Sequence, residues 1–96
     1  MYARLTLFTL GLGMRSKAEE IVSEMIPKVK AQKGFKSINF LGEDKTGEYG
    51  AFIPWETKED GEAAKEVLFP ILQSKLTGIV KGLPTLKLFE VIEPKG

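Results

Sequence analysis

Trp55, Asn39, Arg4, Tyr49 and Thr6 are the side chains whose types and places in this sequence could handle a small organic molecule. Trp55 is the single tryptophan; at the C-terminal end of a strand, a buried indole offers a flat stacking surface and one N–H donor. Its bland alternative is an ordinary core aromatic. Asn39, the only asparagine, falls in the middle of a strand-like stretch where asparagine is disfavoured. It could donate to a carbonyl or a developing oxyanion, or it could lie exposed on a face shared with Ser37. Trp55 and Asn39 are therefore the catalytic candidates. Tyr49, Thr6 and Arg4 are the substrate-binding candidates; Arg4 could hold an anionic group, or pair with a carboxylate across a dimer.

The residues that are missing limit the chemistry further. The sequence has no histidine and no cysteine, so the usual general base near neutral pH is absent, as are thiolate and imidazole metal ligands. Proton removal would have to rely on a tuned carboxylate, a tyrosine or the substrate itself. The acidic run Glu56, Glu59, Asp60 and Glu62 reads as a solvated helix start that suits the dipole, without a preorganised metal spacing. Gly11-Leu12-Gly13-Met14 lacks the further glycine and the lysine of a phosphate loop and reads as a turn. No cofactor and no metal is expected.

The elements that must position these residues fit a single domain over 1–96. With 14 basic and 13 acidic residues the net charge is only +1, which argues against a nucleic-acid partner held through phosphates. No apolar run approaches the roughly 20 residues of a membrane span, and the N-terminus has no signal-like apolar region. A cytoplasmic protein with no membrane partner is the expectation. Residues 2–10, 35–43, 48–56 and 85–93 read as strands. Ser16 and Glu19 have capping-box spacing ahead of a helix carrying Ala18, Ile21, Val22, Met25, Ile26 and Val29, which Pro27 should kink and Gly34 should stop. Thr57 caps a second helix with the stripe Ala64, Val67, Leu68, Ile71 and Leu72. Pro70 should break it, leaving a short piece over 75–81. The order is β-α-β-β-α-β: an α+β, ferredoxin-like antiparallel sheet with both helices on one side.

Strand residues alternate between faces. Tyr49, Ala51, Ile53 and Trp55 are grouped with Ala3, Leu5 and Leu7, and with Leu86, Leu88 and Ile92, beneath the helices. The other face then carries Phe8, Leu10, Phe52, Phe89 and Val91, an apolar patch that calls for a cover. One cover is stacked RNA bases, since "EYGAFIPW" superficially looks like an RNA-recognition strand. Tyr49 and Phe52 are three apart, however, so a regular strand sends them to opposite faces; only a bulge at Gly50 would restore the phase. The other cover is a second copy of the same sheet, with Phe8, Leu10, Phe52, Phe89 and Val91 as the homodimer interface.

The start "MYAR", the stretch "IPKVKAQKGFKSINFL", "WETKED" after the third strand and "GLPTLKLFEVIE" at the end occur in an order and spacing that resemble the antibiotic biosynthesis monooxygenase family of dimeric α+β barrels. The resemblance runs from Met1 to about Pro94. It implies a ferredoxin-like protomer whose sheet packs on its twin's. It also implies either cofactor-independent oxygenation of small aromatic or quinol-like substrates, bound in an apolar space between helices and sheet, or a haem-degrading role. The latter needs a histidine ligand that this chain lacks. The family's catalytic residues do not map one for one onto the sequence. A small-molecule-binding protein with monooxygenase chemistry is the leading expectation. A non-catalytic dimeric binding or stress module and an RNA-binding domain are the alternatives.

Overall fold

The computed structural model describes residues 1–94. Along the chain follow β1 (Tyr2–Thr9), α1 (Arg15–Lys30), β2 (Asn39–Glu43), β3 (Glu48–Trp55), α2 (Lys58–Leu76) and β4 (Lys81–Glu90). The strands form one sheet in the order β2-β3-β1-β4, antiparallel at every step. This is the ferredoxin-like βαββαβ arrangement, with α1 and α2 packed over one face of the sheet.

Several local signals are overruled by packing. Pro70 does not break α2, which runs unbroken to Leu76, so there is no separate helix over 75–81 and β4 begins at Lys81. An interior proline costs about 3 kcal/mol. Here Leu68, Leu72 and Leu76 are all buried on the same stripe, and each contributes about 1.5–3 kcal/mol; together they outweigh the defect. Val67, counted in that stripe from sequence, is instead 49% exposed. Likewise α1 continues through Pro27 to Lys30, with Val29 buried beyond it.

The capping box at Ser16 does not form. Met14 occupies the N-cap with no side-chain cap, and Glu19 is engaged by Arg15 at 3.4 Å. The Thr57 cap does form, its hydroxyl accepting from the Asp60 N–H at 3.0 Å. β2 is shorter than 35–43, and Phe35 touches the sheet only by an isolated bridge to Trp55. The Lys36 N–H donates to the Pro54 carbonyl, but proline has no N–H to return, so the ladder lapses there.

The register decides which face each residue occupies. β1 and β3 pair without interruption from Tyr2↔Trp55 to Thr9↔Glu48. Phe8 therefore lies opposite Tyr49, Thr6 opposite Ala51 and Arg4 opposite Ile53. The helix-side row is Arg4, Thr6 and Phe8 with Tyr49, Ala51, Ile53 and Trp55, not Ala3, Leu5 and Leu7. Phe8 and Leu10, expected at a dimer interface, are 3% exposed members of the core beneath the helices. Ile92, expected in the core, is 80% exposed.

The open face carries Leu5 and Leu7 beside Phe52, Pro54 and Phe89. Val91 continues this edge half-buried, its N–H donating to the Met1 carbonyl at 2.9 Å. No bulge interrupts the ladder at Gly50, so Tyr49 and Phe52 face opposite sides. Gly50 is required there: a Cβ would run into the Thr6 carbonyl.

Candidate functional site

The helices do not close completely on the sheet. Between them lies a cavity of about 70 Å3, walled mainly by apolar side chains of α1, α2 and the central strands. One buried water needs roughly 10–15 Å3 on this scale, so the space exceeds a packing flaw. Met25 and Val29 of α1, Leu68 and Leu72 of α2 and Ile53 of β3 give it its apolar character.

Polar groups reach the cavity from β1 and from the end of β3. Arg4 and Thr6 face it because their parity in β1 points them at the helices, and both are largely buried, at 8% and 9% exposure. The Arg4 guanidinium donates from Nη2 to the Gly61 carbonyl at 3.4 Å, a long bond. It is the one protein hydrogen bond that the Arg4 side chain makes among the described residues. Burial pulls the guanidinium below its ordinary pKa, with Glu62 acting in the opposite sense.

Trp55 is 1% exposed, sits edge-on to Phe35 at 6.1 Å and lines the same cavity. Its Nε1 is buried without a hydrogen-bond partner, the one such side-chain atom among the described residues. A buried donor left unpaired costs about 1–3 kcal/mol, so natural cores rarely tolerate one without cause.

Gly61 joins these groups. It belongs to the first turns of α2, where a Cβ would stand 3.1 Å from Leu88 Cδ1 and 3.3 Å from Trp55 Cδ1. Its bare Cα lets the Cγ–Cδ1 edge of the indole press against α2, while its carbonyl meets Arg4. Neither Gly61 nor the cavity-lining Lys65 was singled out from sequence. The signal for Gly61 was present: a lone glycine inside a helical pattern is costly and usually has a packing or functional reason.

The structure thus brings Arg4, Thr6 and Trp55 together and leaves Asn39 and Tyr49 out. Asn39 pairs opposite Phe52, exposed on the open face and on the other side of the sheet from Trp55. That is the exposed alternative, shared with no catalytic partner. Tyr49 is buried under the helices but does not line the cavity. It stacks on Phe40, and its hydroxyl donates to Asp44 Oδ1 at 2.9 Å. Arg15 bonds the same carboxylate at 3.1 Å. The Tyr49 hydrogen bond, followed by Arg15, holds Asp44 below its ordinary pKa. Burial first, and then Asp44, raises that of the phenol. Arg4 points at the helices, which removes it from any pairing across the open face.

No helix among the described residues is long and apolar enough to cross a membrane. Comparison by sequence finds no matching family model and no matching curated protein. Comparison by structure does find relatives. An antibiotic biosynthesis monooxygenase superposes with a TM-score of 0.77 at 10% identity, covering 97% of this chain and 100% of that one. SnoaB, a cofactor-independent oxygenase from Streptomyces nogalater, gives a TM-score of 0.77 at 20% identity over 97% and 94% of the two chains. MhuD, in a structure with two manganese protoporphyrin IX molecules per active site, gives 0.73 at 19% identity over 100% and 99%. The chain accordingly has the fold of the antibiotic biosynthesis monooxygenases over nearly its whole length.

Proposed function

We propose that this chain binds a small, flat, largely apolar molecule in the cavity between helices and sheet, and oxygenates it without a cofactor. The observation that carries the reading is a mainly apolar cavity whose wall includes Trp55, an indole whose buried Nε1 has no hydrogen-bond partner. An indole in that position stacks on a ring and donates to one ring oxygen. The resemblance to SnoaB, whose chemistry is cofactor-independent oxygenation, supports the reaction class.

Oxygenation without a cofactor balances only if the substrate supplies every electron that O2 accepts. A quinol does: one oxygen atom enters the ring as the product becomes a hydroxyquinone, and the other leaves as water. No carboxylate lines the cavity among the described residues, and the Tyr49 hydroxyl is committed to Asp44 outside it. Proton loss then falls to the substrate's own acidic hydroxyl. A porphyrin suits this chain poorly, because there is no histidine to bind its metal.

The open face of the sheet, with Leu5, Leu7, Phe52 and Phe89 in one apolar field, supports a homodimer in which two sheets cover each other. Oxygen consumption on adding a quinol tests the enzymatic reading. The purified protein should take up oxygen in the presence of a quinol, and Trp55→Phe should not. A folded wild type that takes up no oxygen with any quinol supports instead a non-catalytic binding module.

A further inference from the structure

Arg4 is an unusual resident for the floor of an apolar cavity. A guanidinium has five N–H donors in a planar fork suited to a carboxylate. Only Nη2 of Arg4 has a protein partner, a long one, and no acid side chain lies within ion-pair distance among the described residues. Glu62, the acid that acts on it electrostatically, is exposed on α2. A buried charge without a counter-ion is strongly disfavoured. Such a residue either has a structural partner or awaits a ligand, and here the structural partner is one backbone carbonyl.

The surroundings complete an anion receptor. Trp55, whose buried Nε1 is unpaired, lines the same cavity. Gly61 gathers the indole edge and the guanidinium on one turn of α2. Lys65, one turn further along α2, adds a second cation at the cavity's exposed side. Apart from Thr6, the rest of the wall is apolar. We infer that the ligand of this cavity is an organic acid: a ring or short apolar body with one carboxylate, which Arg4 receives in the corner that Trp55 and Gly61 form. The inference rests on the proposed reading of the cavity as a ligand site, and it adds one carboxylate to the ring-bearing ligand of that reading.

Benzoate and benzamide have nearly the same shape and differ in charge, so titration calorimetry with both separates the two claims. Wild type is expected to bind benzoate at least about tenfold more tightly than benzamide, since a charge-assisted bidentate contact is worth more than a neutral one. Arg4→Met keeps an unbranched apolar stem and removes the charge, and loss of an uncompensated buried charge should not unfold the protein. In that variant the preference for benzoate over benzamide should fall severalfold, to what Lys65 alone sustains. Equal affinity of wild type for the two compounds, or an undiminished preference in Arg4→Met, overturns the acid receptor while leaving the cavity as a ligand site. Failure of wild type to bind either compound at millimolar concentration overturns both.

Discussion

Trp55 combines two properties that ordinary core packing does not require together: complete burial and an N–H with nothing to donate to. Trp55→Phe retains an aromatic body and removes the unpaired donor. The cost of a smaller ring and the relief of an unsatisfied polar group act in opposite senses. The variant should therefore stay within about 1.5 kcal/mol of wild type in urea unfolding, yet lose quinol-dependent oxygen uptake. Tyr49 offers a contrasting case, an aromatic whose polar end is satisfied. Its hydrogen bond is the largest influence holding Asp44 below the ordinary carboxylate value of 3.8. A depressed carboxylate stabilises the fold above its unfolded pKa, and that contribution fades as pH falls through the folded value. Tyr49→Phe should thus be less stable than wild type near neutral pH, with a gap that narrows below the ordinary carboxylate range. Denaturation midpoints taken across that range check it; a gap that widens in acid contradicts the Asp44 assignment.

At the scale of elements, much of the architecture was legible, because the strands and helices carry their own periodicities. The Thr57 cap, the phase of β3 and the chain order could all be read from the residues. The relative phase of β1 could not. Parity divides a strand into two faces but does not say which face matches its neighbour's; the register does, by setting Phe8 against Tyr49 and Thr6 against Ala51. The row Ala3, Leu5 and Leu7 looks more like a core than Arg4, Thr6 and Phe8, and the less apolar row is the buried one. Local pattern and fold part company here because the polar members of that row line the cavity. The face of Asn39 was illegible for the same reason, since it follows from pairing with Phe52. The start of α1 was illegible at Ser16, because the helix begins at Arg15 with Met14 in the N-cap position. Gly61 tests the contact between α2 and β3. Alanine there gains about 0.5–1 kcal/mol of helix propensity, while its methyl would crowd Leu88 and Trp55 at 3.1 and 3.3 Å. Gly61→Ala should leave overall stability nearly unchanged and weaken benzamide binding severalfold by shifting the indole; unaltered binding would show that Trp55 does not shape the site.

For the whole molecule, one face of the sheet is covered by helices and the other carries an apolar patch among polar residues such as Lys87 and Asn39. Phe89 is 48% exposed there, with Phe52, Leu5 and Leu7 beside it. A patch of this kind on a folded chain marks a surface that something covers, and a second sheet of the same shape suits it. The double variant Phe52→Lys, Phe89→Lys places like charges in that field and should sediment as a folded monomer, whereas wild type should sediment as a dimer. A wild type that sediments as a monomer at micromolar concentration contradicts the proposed barrel.

The central claim is that a ligand completes the hydrogen bonding of Trp55. Because the chain has one tryptophan, its indole N–H gives a single resonance in a nitrogen–proton correlation spectrum, well apart from the backbone amides. Titration with hydroquinone should move that resonance downfield along a saturable curve, with companion shifts confined to the cavity wall. An indole signal that stays fixed through millimolar hydroquinone, while the protein remains folded, would contradict the account.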